Sequence, residues 1–273
     1  MSIKHLQING AELTYREEGS GVPVVMLNGM LGDYRGWHRQ VEALAPKYHA
    51  IALSQRYYPP NKWPDDGAGF GAAAHVADLA TLLRQLSLPP VHLVGHSYGG
   101  GVASRLAAEH PDLVRTLVLG EPGLQNLALD HPAMPGLLNE FAEMRKVSRE
   151  AWQKGDNAAA VEAELVAAFD RTAFDRIRAE HFAFLLDSAP IIGAASRMKP
   201  PPPFTLEMAH RLMMPVLIVE GARTKQLFSI TCTRLMECMP NVERVVLPDT
   251  SHALHLESPK PFNEAMLGFL ERH

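Results

Sequence analysis

An α/β fold, with a mostly parallel sheet covered by helices on both faces, follows from two features of the sequence. Short apolar runs alternate with stretches of helical periodicity along most of the chain, and that alternation builds parallel strands joined by crossover helices. One run, Val91 to Val94, leads into Gly95-His96-Ser97-Tyr98-Gly99-Gly100 and then a helical stretch from Val102 to His110. This is the strand, sharp turn and helix that a G-x-S-x-G motif requires. With 273 residues, 47% of them apolar, the chain can bury one such core and carry an insertion.

The elements follow in order. Ile3 to Ile8 and Leu13 to Glu17 read as strands joined at Asn9-Gly10, a hairpin signal. Val24 to Leu27 is continuously apolar, as expected of a strand buried on both faces. Trp37 to Leu44 has helical spacing, Ala50 to Leu53 is the next strand, and Val76 to Leu86 is an amphipathic helix. After the motif helix comes the strand Thr116 to Leu119. The alternation then stops. Gly136 to Val147, Ala158 to Phe169 and Arg176 to Leu186 are helical and no buried strand interrupts them, so 124–204 reads as a helical cap inserted into a core formed by 1–123 and 205–273. The cap closes with Lys199 and four prolines, a short extended linker. Val216 to Val219, Phe228 to Met239, Val242 to Leu247 and Pro261 to Leu270 complete the alternation, giving eight strands in all.

The motif carries chemistry as well as shape. Its glycines permit a turn in which Ser97 leaves the sheet and the Tyr98 N–H, at a helix N-terminus, faces the same space. A serine hydroxyl needs a base to take its proton and a third group to orient that base. Of 13 histidines, His252 is the best base, because it lies in the loop after the last strand, where open parallel sheets place their sites. His255 is the runner-up, at the start of the next helix or packed beside the site, and His96 points away from Ser97 in a structural role.

The bulk properties narrow the classes. A net charge of -4 argues against a nucleic-acid surface. No apolar run is long enough for a membrane span, and the start lacks an apolar signal core, so a cytoplasmic protein is expected. Cys232 and Cys238 fit no metal pattern and read as buried free thiols on a helix; no metal or cofactor is expected. The oligomeric state stays open, a homo-oligomer included.

On the Gly-His-Ser-Tyr-Gly-Gly turn, the strand order, the cap position and the terminal Ser-His-Ala-Leu-His-Leu-Glu-Ser-Pro, the chain resembles the α/β-hydrolase superfamily over nearly its whole length. The resemblance implies an oxyanion hole from the N–H groups of Met30 and Tyr98. The Met30 loop reads Asn28-Gly29-Met30 where the family usually has His-Gly-x, so Asn28 must brace it by hydrogen bonding. The family's usual triad Asp falls at Thr224, which cannot be an anion. Three carboxylates compete for the place: Glu121, Glu220 and Asp249. Glu121 is favoured, since some members carry the acid after that strand and the chain order Ser, Glu, His is kept. The loop from Ser54 to Pro64 is also unusual. Arg56 and Tyr57 there, with Asn28 and Gly29, are expected at the substrate, with an ordinary surface loop as the alternative.

These readings lead to a cofactor-free serine hydrolase acting on a small carboxylic ester or lactone with a hydrophobic acyl or alcohol group. Carbon–carbon bond hydrolases, thioesterases and hydroxynitrile lyases use the same triad and stay open. So does a ligand-binding protein on a degenerate hydrolase scaffold, which the absent Asp favours.

Overall fold

The computed structural model describes residues 2–198 and 202–273; most of the proline linker expected at 199–203 lies outside them. One eight-stranded sheet runs through the molecule: β1 (Ser2–Ile8), β2 (Ala11–Glu18), β3 (Pro23–Leu27), β4 (His49–Leu53), β5 (Val91–His96), β6 (Val114–Gly120), β7 (Val216–Gly221) and β8 (Val242–Leu247), in the spatial order β1-β2-β4-β3-β5-β6-β7-β8. β1 and β2 form an antiparallel hairpin, and β2 pairs antiparallel with β4. The hairpin turns at Asn9 and Gly10, both at positive φ, as a two-residue turn matched to the strand twist demands. Every other pairing is parallel.

The central strands β3, β5, β6 and β7 are apolar on both faces because both faces are covered. Val25, Leu93, Leu117 and Ile218 pack on one side with α2 (Ala72–Gln85) and α3 (Tyr98–Glu109). Val24, Val94, Val118 and Leu217 pack on the other with α1 (His38–Leu44) and the C-terminal helix Pro259–Leu270. Period-2 alternation puts successive residues into different cores.

Between β6 and β7 stand α4 (Met134–Gln153), α5 (Asn157–Ala168), α6 (Arg171–Leu186) and α7 (Ala189–Arg197), then the short α8 (Leu206–His210). The sequence periodicity anticipates α4 to α6 and not α7. Pro190, Ile191, Ile192 and Gly193 make poor local helix. Burial of Ala189, Ile191, Ile192 and Ala194 holds it instead. These helices have a hydrophobic cluster of their own around Val161, Phe174 and Ile177. Phe204, by contrast, is back in the sheet's core, so the return to the core precedes α8. Charged pairs bind the helical layer to the helices and loops that flank the sheet: Arg35 to Asp187 at 2.7 Å, Arg39 to Glu180 at 2.6 Å and Arg223 to Asp170 at 3.0 Å. Cys232 and Cys238 are buried free thiols on α9 (Gln226–Cys238). Among the described residues no helix is long and apolar enough to cross a membrane.

Candidate active site

Ser97 lies between β5 and α3 with φ 50° and ψ -115°, a positive-φ conformation outside the left-handed helical well that residues with a Cβ seldom adopt. The elbow closes so tightly that a Cβ on Gly99 would strike the carbonyl groups of Leu27 and Asn28, and one on Gly95 would strike Gly99 and Gly100. Hydrogen bonds lock it: Ser97 N donates to Gly120 O at 2.8 Å, and Gly123 N donates to Ser97 O at 2.8 Å.

His252 comes from the loop after β8, and its ring is held on several sides. Phe228, on α9, stacks on it with centroids 3.8 Å apart and planes 7° apart. The His96 ring is 4.9 Å away, and His96 Nε2 donates to His252 O at 2.8 Å. His96 therefore braces the loop, and burial lowers its own pKa to about 3, which keeps it a neutral donor. Ser251 N, next in the chain, donates to Glu257 Oε2 at 2.7 Å. His255 is buried in a four-residue helical turn, Leu254–Glu257, and stacks on Trp37 at 3.9 Å.

The carboxylate at His252 is Glu121. Its Oε2 is 2.5 Å from His252 Nδ1 and both side chains are buried. Glu121 Oε2 also accepts from the Thr224 hydroxyl at 2.6 Å, and Oε1 accepts from Gly221 N at 2.7 Å. Three donors thus fix an anion with no solvent contact, and hydrogen bonds to the charged form stabilise it. Since the carboxylate accepts, Nδ1 carries the proton and Nε2 is left free to act as base. The other two candidates are elsewhere. Asp249 is 72% exposed and pairs with Arg223 and Arg176. Glu220 is buried with Arg244 Nη2 at 2.9 Å. Thr224, set aside as an acid, is a partner of the acid that sequence reasoning missed; its only signal is its position.

Ser97, His252, Asn28, Gly29, Met30 and Tyr98 share the wall of one cavity of about 190 Å³. A Cβ on Gly29 would lie 3.0 Å from His96 Nδ1 and 3.5 Å from Ser97 Cβ, so the loop backbone runs directly beside the serine. Asn28 Nδ2 donates to Gly29 O and Gly32 O at 3.0 Å each, the bracing expected of it. The Tyr98 amide is at the first position of α3, where a helix offers no acceptor. The Tyr98 side chain is turned to α2: its hydroxyl donates to His75 Nδ1 at 2.7 Å, while His75 Nε2 donates to Arg56 O at 3.1 Å. Among the described residues the Ser97 hydroxyl makes no side-chain hydrogen bond, a looseness common before substrate closes such a site.

Arg56 and Tyr57 do not join this cavity. Arg56 makes a two-point pair with Asp78 on α2, both contacts 2.7 Å, and Nη2 reaches Asn9 O at 3.0 Å. A guanidinium beside a buried carboxylate satisfies that partner first. Tyr57 is buried against Trp63 and Phe70 and donates its hydroxyl to Asp65 at 2.9 Å. Neither residue, both expected at the substrate, lines the Ser97 cavity: Arg56 ties the loop to α2 and the β1–β2 turn, and Tyr57 ties it to its own Asp65.

The family model for the alpha/beta hydrolase fold matches residues 22–259. The chain belongs to this family. Among curated relatives, the 2-(acetamidomethylene)succinate hydrolase of Mesorhizobium japonicum is 26% identical over 277 residues, covering 98% of this chain and 95% of its own. An esterase from Thermogutta terrifontis superposes with a TM-score of 0.78 at 20% identity, over 100% of this chain and 99% of its own. A bromoperoxidase from Bacillus anthracis does so with a TM-score of 0.79 at 24% identity, over 99% and 100%. The names span several chemistries, so this alpha/beta hydrolase shares the fold with all of them and the specific reaction with none by likeness alone.

Proposed function

We propose that this protein is a serine hydrolase that cleaves a carboxylic ester or lactone through an acyl-enzyme at Ser97. The observation that carries this reading is the buried Glu121–His252 contact of 2.5 Å behind a serine in the same cavity wall. Ser97 Oγ attacks the carbonyl carbon as His252 Nε2 takes its proton. The imidazolium that forms is stabilised by Glu121, and the carbonyl oxygen, now negative, is met by the N–H groups of Met30 and Tyr98. Collapse breaks the bond to the leaving oxygen, which takes the proton from His252. Water then repeats the sequence on the acyl group and releases the acid. The cavity wall is largely apolar, with Leu31, Phe169, Leu185 and Phe228 about the serine, which suits a hydrophobic acyl or alcohol group. The donor cage on Glu121 weighs against a degenerate, non-catalytic scaffold.

A chromogenic short-chain ester tests the reading. Turnover is expected in the wild type and a loss of several powers of ten in Ser97→Ala. Retention of most activity in the pure variant overturns it.

A further inference from the structure

The cavity wall carries one charged pair that this hydrolytic scheme does not use. Arg145, on α4, and Glu164, on α5, both line it, among Phe141, Leu165, Ala168 and Phe169. Arg145 Nε donates to Glu164 Oε1 at 2.6 Å. That contact occupies one edge of the guanidinium. Among the described residues its two Nη groups have no hydrogen-bond acceptor, and the side chain is 27% exposed while that of Glu164 is 8%. The Phe141 ring lies 5.8 Å from Arg145 Cζ. Glu164 Oε2 is buried with no partner. A buried carboxylate with one oxygen unsatisfied is an unfavourable arrangement in isolation; its other oxygen, on Nε, orients the Arg145 fork.

We infer that Arg145, held by Glu164, recognises a carboxylate carried by the substrate at the end remote from the bond that Ser97 attacks. This deepens the serine-hydrolase reading and rests on it for the position of the scissile bond. The free edge of a guanidinium matches a carboxylate in two parallel contacts. Bound at the two Nη groups, the anion is closer to the guanidinium than to Glu164, which is held at Nε, so attraction exceeds repulsion. Arg145 is the one guanidinium or ammonium group among the lining residues. Of the lining histidines, His96 and His255 do not compete, since burial pushes the pKa of His96 to about 3 and that of His255 well below its usual value, and His252 is taken up by Glu121. The apolar side chains between the cap pair and the serine take the carbon chain that joins the two ends.

The test compares three ester series from glutaric to suberic chain length: monomethyl esters of the diacids, their dimethyl esters, and methyl alkanoates of equal length. In the wild type one monomethyl ester is expected to exceed its alkanoate in kcat/KM, with the dimethyl ester resembling the alkanoate. Arg145→Met should lower that ratio about 10- to 100-fold, as loss of a charge-assisted contact does. Arg145→Lys should restore part of it, and added salt should weaken it. Equal ratios in wild type and Arg145→Met, or a dimethyl ester favoured as much as the monomethyl one, overturn the carboxylate site while the hydrolase reading stands. A second arm titrates the free diacids into Ser97→Ala by calorimetry. Binding is expected, and its loss in Ser97→Ala/Arg145→Met. Diacid binding through Arg145 without turnover of any ester keeps the carboxylate site and removes the hydrolase reading. Absence of diacid binding at every length overturns the inference.

Discussion

Glu121 holds Gly221 N, the Thr224 hydroxyl and His252 Nδ1 at once. It does so from a backbone at φ 41°, a strained setting for a residue with a Cβ. In Glu121→Gln one of those three donors must face an amide NH2 in place of an oxygen. In either orientation the ring loses the anion that stabilises its charged form, and the corresponding acid-to-amide change costs about 10⁴ in rate in a well-studied serine protease. We expect kcat to fall by ~10²- to 10⁴-fold, with a modest drop in thermal midpoint, both read on the purified variant. Thr224→Val removes a single neutral-to-anion hydrogen bond, so steady-state assay should show a loss nearer ~10-fold. Unchanged turnover in Glu121→Gln contradicts the assignment of the acid. At this scale the sequence makes Ser97 and His252 legible through motif and loop position. Glu121 is legible by chain order and by the absence of a carboxylate at 224. The Thr224 donor is not, because a hydroxyl's partner depends on a fold contact across 103 positions of chain.

Elements place these groups more than local propensity does. The ends of β5, β6 and β8 each deliver one site residue, and the positive φ values at Ser97, Glu121 and Asp249 mark the three sharp exits. Strand identity is readable from apolar runs, since four central strands are buried on both faces. The exit at Glu121 is not, since nothing in a glutamate favours a positive φ over its neighbours, whereas Asp249 is of a type that tolerates one. The loop holding Arg56 and Tyr57 stays ambiguous in the sequence for a related reason: its aromatics suit a cleft wall or a surface loop equally well, and the Asp78 and Asp65 contacts that hold it are long-range or local pairings no motif marks. Helix α7 goes unread because packing, not periodicity, forms it. Its Gly193 lies so close to the Trp152 ring of α4 that a Cβ would overlap it. Gly193→Ala should therefore loosen α7 against α4 and lower the thermal midpoint, with limited proteolysis cutting first between 134 and 197. At the elbow, Gly99→Ala sets a methyl group against main-chain carbonyls that cannot yield. Loss of activity with destabilisation of about 2 kcal/mol or more is expected, measured by urea denaturation; a variant as stable as wild type contradicts the tight-elbow geometry.

Across the whole molecule, buried histidines couple the fold to pH. Burial lowers the pKa of His75 and His92 to about 4 and that of His96 to about 3, and His255 falls well below its usual value. In the unfolded chain such rings protonate near ~6.5. Below that pH the unfolded state binds more protons than the folded one, so this stability is complete above ~6.5 and is lost as pH falls toward the folded values. The thermal midpoint should decline between about pH 6.5 and 4 in a calorimetric series; a midpoint that is flat over this window contradicts neutral burial of these rings. The alternation of elements, the inserted helices and the parallel sheet are all legible in the sequence because they rest on periodicity over many residues. The cavity is not, since it is what remains after α4 to α6 and the β3, β5 and β8 loops have packed. The proposed mechanism requires that one serine among all the hydroxyls be activated by the Glu121–His252 pair. Its most direct test is peptide mapping by mass spectrometry after treatment with a serine-directed fluorophosphonate. One adduct per chain is expected, on Ser97, absent in Ser97→Ala and slowed by powers of ten in His252→Ala. An adduct on another residue, or equal labelling of Ser97 without His252, would contradict it.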